Sequence, residues 1–142
     1  MSIEGWHVLS EDECHALLGQ NHLGRIGLVE GDRPMIVPVN YIVDGANVVF
    51  RTGEGSKLDA ALRRAPVAFE VDGVNKEHRT GWSVLIRGSA EPVTDRRDLE
   101  RLRRLPLVPW APGAKPHYVR ILPDEVSGRR ISVADLPHEW WG

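Results

Sequence analysis

The chain has 142 residues, of which 42% are apolar and 27% are charged. This length and composition fit one compact domain, residues 1–142. The chain is too short for two independent hydrophobic cores. Eighteen Lys and Arg against twenty Asp and Glu give a net charge of -2. That balance excludes an overall electrostatic attraction to nucleic acid or anionic lipid but allows a local basic site.

The sequence also indicates a cellular compartment. No apolar run approaches the roughly 20 residues of a membrane-spanning helix, and the acidic N-terminal residues lack the basic and apolar segments of a secretory signal. Cys14 is the single cysteine, so no disulfide can form within the chain. We therefore expect a soluble, cytoplasmic protein with neither nucleic acid nor membrane as a partner.

The first predicted element is a short helix over about residues 10–20. Ser10 and Glu13 have the spacing of a capping box, in which each side chain bonds the backbone amide of the other residue. Cys14 and Leu18 follow at helical spacing. This position predicts that Cys14 is a buried, inert thiol.

Six segments rich in Val, Ile and Leu follow, and each predicts a strand. The turn sequences Glu30–Pro34 and Asp44–Gly45 connect the first three strands as hairpins, which indicates an antiparallel meander. The predicted strands are Leu23–Val29, Met35–Val43, Ala46–Thr52, Val67–Val74, Trp82–Val93 and Tyr118–Leu122.

Two further stretches have one apolar helical face, Ser56–Arg64 and Asp95–Leu105. So few helices cannot cover both faces of a parallel sheet. We therefore predict a mainly β, α+β fold, in which helices cover the ends of a small antiparallel barrel. The segment Pro106–Pro116 contains four prolines and is expected to be an extended loop, and residues 123–142 are expected to form a C-terminal tail.

The tail ends with two adjacent tryptophans, Trp140 and Trp141. Together they would expose a large apolar area unless they dock on another surface. Two interpretations stay open: the pair packs on the surface of its own chain, or it docks on a partner subunit near a shared site.

The segment Arg51–Leu58 joins the end of the third strand to the next helix through a glycine-bounded turn. Backbone amides in the first turn of a helix have no intrahelical acceptor and favour an anion. With Ser56 as the N-cap and Lys57 beside it, the Arg51 guanidinium and the Thr52 hydroxyl would complete a phosphate site. An ordinary capped helix with solvated cations explains the same residues.

No other pattern indicates a site. The six histidines show no local pairing with one another or with the cysteine, so no metal site is predicted. No nucleophile elbow is present, and no catalytic residue is identified. The arginines of the last helix alternate with Asp95, Asp98 and Glu100, which favours a solvated, ion-paired face over a nucleic-acid surface.

Five sequence blocks occur in order along the chain: Val37–Tyr41, Asp44–Gly45, Val49–Leu58, Val67–Asp72 and Gly81–Ala90. Together they resemble the flavin-binding split-barrel family, also called pyridoxamine 5'-phosphate oxidase-like. The resemblance extends from about Leu9 to Val93 and, more loosely, to the last predicted strand.

This resemblance implies a six-stranded, antiparallel Greek-key split β-barrel that forms a homodimer. It also implies two molecules of FMN, or of the deazaflavin F420, at the subunit interface, with haem as a rarer cofactor. The cofactor phosphate would lie at Arg51, Thr52, Ser56 and Lys57. The isoalloxazine ring would lie along Val37, Pro38, Val39 and Asn40, with contributions from Trp82 and Ser83.

A flavin carries the hydride chemistry itself, while the protein supplies binding and orientation. That division fits a sequence without an evident acid–base pair. The hypothesis is therefore an FMN- or F420-dependent oxidoreductase acting on a small organic substrate, with Trp82 and Trp140 or Trp141 shaping the pocket. A non-catalytic protein of the same fold that binds or carries flavin, F420 or haem is the alternative, and a structural or regulatory homodimer with an empty pocket is a third.

Vitamin B6 oxidation itself is not expected. In the resembling family, the true pyridoxamine phosphate oxidases have a substrate-binding arginine and histidine near the C-terminus, and residues 136–142 offer no convincing counterpart.

Overall fold

The structure is a computed structural model that describes residues 2–3 and 6–132. Trp140 and Trp141, and the roles predicted for them, lie outside these residues. The described part of the chain forms eight strands and three helices. In chain order they are β1 (Ser2–Ile3), β2 (Trp6–Val8), α1 (Glu11–Gly19), β3 (Leu23–Glu30), β4 (Arg33–Asp44), β5 (Asn47–Thr52), α2 (Ser56–Leu62), β6 (Pro66–Asn75), β7 (Thr80–Pro92), α3 (Arg96–Arg103) and β8 (His117–Ser132).

Six of the strands close into an antiparallel barrel. They pair in the order β8, β5, β4, β3, β6 and β7, and β7 pairs in turn with β8. Because β6 returns beside β3 rather than β5, the strands β3 to β6 form a Greek key. The short hairpin of β1 and β2 adds to the second half of β8, with Val8 opposite Arg129. The predicted antiparallel, mainly β fold with a few short helices is confirmed.

The predicted meander of β3, β4 and β5 is present, and two glycines make its turns. Two-residue turns connect Glu30 to Arg33 and Asp44 to Asn47. Gly31 and Gly45 occupy the first central position of each turn, with φ of 65° and 61°. Glycine adopts this left-handed conformation without the steric cost of a side chain.

The first helix begins where the sequence predicts. Ser10 is the N-cap, its hydroxyl accepts from the Glu13 amide at 3.1 Å, and the Glu13 carboxylate accepts from the Ser10 amide at 3.0 Å. Cys14 and Leu18 are buried in the barrel core. The helix therefore closes one end of the barrel with its apolar face.

The last strand is longer than the sequence predicts. β8 continues to Ser132, so residues 123–132 are strand rather than tail. Pro123 and the acidic pair after it are typical of a turn, but they lie at a register shift where Gly88 is opposite Pro123 and Arg87 is opposite Glu125. The irregularity accommodates the proline without ending the strand.

Both later helices are shorter than expected. α2 ends at Leu62, because Arg64 has a φ of 51° and leaves the helical conformation. α3 begins after Asp95, whose carboxylate accepts from the amides of Arg97 and Asp98. Residues 104–116 contain no helix or strand, as predicted for the proline-rich segment.

The core has two parts. The larger part fills the barrel and includes Tyr41, Phe50, Phe69, Ile86 and Ile121. The smaller part lies between α3 and the outer face of β5 and β8, and includes Val49, Leu102, Leu107 and Tyr118. Among the helices of the described residues, none has the length and apolar character needed to cross a membrane.

Candidate functional site

The barrel opens between β4 and β5. Their pairing runs from Asp44 opposite Asn47 to Tyr41 opposite Phe50 and stops there. Beyond that point, Arg51 and Thr52 pair only with β8, and the preceding residues of β4 pair only with β3. The end of this pairing leaves a space between β4 and the segment 51–57, which Met35 and Ser56 border. We call this space the groove.

The β4 side of the groove is an unpaired strand edge. The Tyr41 amide donates to the His22 carbonyl at 3.0 Å. The backbone N–H and C=O groups of the odd-numbered residues of β4 therefore point towards β3. By the alternation of an antiparallel ladder, the backbone groups of residues 34, 36, 38 and 40 point into the groove. We call these four positions the open edge.

Two of the four positions on the open edge are prolines, Pro34 and Pro38. Proline has no amide proton, so it blocks the addition of another strand but leaves carbonyl acceptors free. The amides of Ile36 and Asn40 remain as donors. The open edge is therefore unsuited to a β-strand partner and offers alternating polar groups to a small ligand.

Three cations lie on the opposite side of the groove. The Arg51 guanidinium donates through Nε to the Lys115 carbonyl at 3.0 Å and lies 5.4 Å from the centre of the Tyr118 ring. Burial lowers the pKa of Lys57, and the nearby charge of Lys115 lowers it further. Arg51, Lys57 and Lys115 are called the cationic cluster below.

Within the described residues, the cationic cluster has no acidic partner. Among the ion pairs of the described residues, none joins Arg51, Lys57 or Lys115 to a carboxylate. The carboxylate of Glu54, in the intervening turn, contacts His117 at 3.0 Å instead. Lys57 is partly desolvated and lies near the charge of Lys115, and such a lysine favours an anionic ligand.

The two predicted hydroxyl ligands differ in position. The prediction that Ser56 is the N-cap of α2 is wrong, because Gly55 takes that place with a φ of 136° and Ser56 is the first helical residue. The Ser56 hydroxyl instead lies 3.7 Å from the sulfur of Met35, across the groove. The Thr52 side chain is buried and donates to the Gly53 carbonyl at 3.1 Å, so it supports the turn.

The four predicted ring-binding residues of β4 divide by face. Val39 is buried in the barrel core, and Val37 packs against it. Pro38 is exposed, and Asn40 is half-buried at the narrow end of the groove. These two residues belong to the open edge, whereas the valines hold the strand on the barrel.

Trp82 and Ser83 lie on β7, which is opposite β4 in the ring of six strands. Trp82 packs against the barrel core and covers Gly73, where an added Cβ would lie 2.5 Å from the indole nitrogen. Within the described residues of one chain, the pair therefore does not meet the groove.

Two groove residues escape prediction from the sequence. Both come from the proline-rich loop: the Lys115 carbonyl contacts Arg51, 64 residues earlier in the chain, and the Trp110 amide contacts Asn40, 70 residues earlier. Their residue types could have indicated a functional role, since a lysine and a tryptophan are unusual in a loop segment of Pro, Ala and Gly. Their position depends on long-range packing that no local pattern reveals.

A charged group lies outside the groove, on the outer face of the barrel. Arg25 contacts Glu70 at 3.1 Å and Asp72 at 3.3 Å beside a cavity of about 370 Å³. Burial and the neighbouring Asp72 raise the pKa of Glu70 to about 7, against the opposing effect of Arg25.

No three His, Cys, Asp or Glu residues in the described ranges are placed to hold a metal ion.

The raised pKa of Glu70 predicts a pH-dependent stability. The folded chain binds this proton more tightly than the unfolded chain does, so the contribution of Glu70 to stability falls as the pH rises from about 4.5 to about 7. Glu70→Gln should flatten that decline when melting temperatures are measured from pH 4.5 to pH 8. Glu125→Gln, which removes an exposed partner of Arg87, is the control. Parallel melting curves for Glu70→Gln and the parent protein would contradict the assignment.

Comparison with known proteins connects this arrangement to a family. The family model described as pyridoxamine 5'-phosphate oxidase matches residues 10–130. An uncharacterized protein of Mycobacterium tuberculosis is 38% identical over 132 residues, which cover 89% of this chain and 86% of the relative.

Two solved structures share both the fold and the sequence pattern. A Corynebacterium glutamicum protein, provisionally named pyridoxamine 5'-phosphate oxidase, is 37% identical with a TM-score of 0.79, covering 89% of this chain and 98% of that one. A structure described as the FAD binding protein from Mycobacterium smegmatis is 39% identical with a TM-score of 0.75, covering 88% of this chain and 98% of that one.

Proposed function

Because this chain belongs to the pyridoxamine 5'-phosphate oxidase family, we propose that it is a flavin-dependent oxidoreductase that holds its cofactor in the groove. The observation that carries the proposal is the cationic cluster of Arg51, Lys57 and Lys115, which has no carboxylate partner in the described chain. A flavin phosphate would supply the missing negative charge.

The phosphate is assigned to Arg51 and Lys57. Arg51 is held from two sides, by the Lys115 carbonyl and by the Tyr118 ring, so its remaining guanidinium donors are oriented before a ligand arrives. Lys57 is half-buried and repelled by Lys115, and a phosphate would relieve both costs. Ser56 is the first residue of α2, and its hydroxyl can turn from Met35 to an incoming oxygen.

The flavin ring is assigned to the open edge. Its polar rim needs both donors and acceptors, and the open edge offers the carbonyls of Pro34 and Pro38 with the amides of Ile36 and Asn40. The family resemblance implies FMN, with F420 as the alternative and haem as a weaker one. The name of the Mycobacterium smegmatis relative adds FAD to these candidates.

The second wall of the site is proposed to come from another copy of the chain. Trp82 and Ser83 belong to the predicted cofactor residues but lie across the barrel from the groove. A homodimer that sets β7 of one copy against β4 of the other would unite the two sets. The same dimer would exclude water from one face of the ring.

The reaction needs little from the side chains. When bound, the flavin supplies hydride transfer to or from a small organic substrate. The groove residues bind the phosphate, orient the ring and limit the access of water. No described side chain is assigned as an acid or a base, and the catalytic residues are not identified.

The proposal predicts a coloured protein. Purified protein is expected to carry, or to take up saturably, a flavin that an absorbance spectrum and mass spectrometry of the released ligand identify as FMN, FAD or F420. Turnover is then measured with NAD(P)H or reduced F420 and a panel of acceptors. Tight flavin binding without turnover would mean that the protein is a cofactor carrier rather than an enzyme. A colourless protein with no saturable uptake of any flavin would contradict the proposal altogether.

A further inference from the structure

An exposed tryptophan stands beside the groove on a stiffened loop. Trp110 is 72% exposed, and Val108, two residues earlier, is 70% exposed. The loop from 104 to 116 contains prolines at 106, 109, 112 and 116, each of which fixes one backbone angle. A large apolar side chain that is held in water on a stiff support is typical of a binding surface.

The loop is attached to the narrow end of the groove at two points. The Trp110 amide donates to the Asn40 side-chain carbonyl at 2.8 Å, and Arg51 donates to the Lys115 carbonyl at 3.0 Å. Lys115 also donates through Nζ to the Pro112 carbonyl at 3.0 Å. Trp110 is therefore held to the last position of the open edge, while Lys115 belongs to the cationic cluster.

A cavity of about 360 Å³ lies under the tryptophan. Its apolar lining includes Pro106, Val108 and Trp110 itself, and His22 and Asn40 supply polar groups. An apolar platform with a few polar groups at the rim suits a flat heteroaromatic ring that carries nitrogen donors and acceptors.

The platform and the cationic cluster lie within reach of one ligand. Lys115 follows Trp110 by five positions, and a chain of that length spans at most about 18 Å when fully extended. If a phosphate of the ligand binds the cationic cluster, a group attached to the other side of that phosphate can therefore reach the platform, which is Trp110 with the adjoining cavity. FMN ends at its phosphate, whereas FAD continues through a second phosphate to an adenine ring.

We propose that Trp110 and the cavity beneath it form a second subsite that stacks the adenine ring of FAD. The inference rests on the proposed flavin function and deepens it, because it identifies the feature that would distinguish FAD from FMN. The open edge takes the flavin ring, the cationic cluster takes the phosphates, and Trp110 takes the base. Asn40 lies at the junction and contacts the loop on which the platform is built.

The test compares three probes on the full chain: FAD, FMN and ADP. Removing one stacked aromatic ring is expected to weaken binding of FAD and ADP by about tenfold or more, and to leave FMN binding unchanged within about twofold. The variant is Trp110→Ala, and Trp110→Phe should recover most of the loss because it keeps an aromatic face. Val74→Ala, an exposed apolar residue of β6 that is 75% exposed, is the control.

Each other outcome overturns the inference. Equal losses for FAD and FMN would mean that Trp110 only holds the loop against Asn40. Unchanged affinities would mean that the platform is unused, and dissociation of the oligomer in sedimentation experiments on Trp110→Ala would assign the surface to a second copy. Wild-type protein that binds neither flavin would refute the proposed function itself, which is a distinguishable result.

Discussion

Replacing Lys57 with methionine is expected to weaken flavin binding by about 10- to 100-fold while leaving the unliganded protein at least as stable as the parent. The loss corresponds to one charge-assisted hydrogen bond to phosphate, about 1.5–3 kcal/mol. The stability should not fall, because burial and the charge of Lys115 both oppose the protonated amine in the unliganded chain. Methionine keeps the apolar stem of the side chain.

The two opposite signs make this result informative. Flavin affinity is measured by titration, and the free energy of unfolding is measured by urea denaturation with and without flavin. Arg63→Met is the matched control, because it removes one positive charge from the end of the same helix, where the guanidinium bonds only the Asp59 carbonyl. A loss of stability in Lys57→Met without a loss of flavin affinity would assign Lys57 a structural role. It would also remove the main support for the proposal that the groove binds the flavin phosphate.

Local rules explain the parts of the fold that the sequence predicts. The capping box of Ser10 and Glu13, and the glycines at 31 and 45, act within four residues of themselves. Their geometry does not depend on the rest of the chain. The apolar strands follow from composition in the same way, and a small antiparallel barrel fits six strands with few helices better than a doubly wound α/β fold does.

Long-range packing explains the parts that the sequence does not predict. Pro123 looks like a strand end, yet β8 passes through it because β7 pairs with it on both sides of the irregularity at Gly88. The N-cap of α2 is a local exception: Gly55 has a φ of 136°, outside the helical conformation, and Ser56 is already the first helical residue.

The candidate site was predictable in its residue types but not in its shape. The Arg51–Lys57 segment shows a cation on each side of a glycine-bounded turn, which suggests a phosphate site from sequence alone. The groove exists because β4 and β5 stop pairing after Tyr41 and Phe50, and Lys115 and Trp110 arrive from a distant loop. Neither fact has a signature within a sequence window.

Phe69 connects the barrel core to the strands beside the groove. Phe69 is fully buried, packs edge-on against Tyr41 with ring centres 5.0 Å apart, and lies against Gly24 of β3. Gly24 is opposite Val39, one of the residues that hold β4 on the barrel. Phe69 therefore supports the strand next to the open edge, and its removal should affect both stability and flavin binding.

Phe69→Ala is expected to lower the free energy of unfolding by about 3–5 kcal/mol, because it leaves a cavity at the centre of the barrel. Total stabilities of single domains are about 5–15 kcal/mol, so this variant approaches the limit of folding. The measurement is urea denaturation at low temperature. A loss below about 1 kcal/mol would show that the core collapses around the missing ring or that the ring is not at its centre.

A double-mutant cycle with Gly24 separates contact from general damage. A Cβ at Gly24 would overlap the Phe69 ring, so Gly24→Ala should cost about 1–3 kcal/mol in the parent protein and a few tenths in the Phe69→Ala background. Gly27→Ala on the same strand is the control, since its Cβ would lie 3.6 Å from the Ala68 Cβ, an ordinary contact. Its cost should be the same in both backgrounds. Additive effects for Gly24 would mean that Phe69 does not lie against it, and the proposed route from the core through β3 to the open edge would fail.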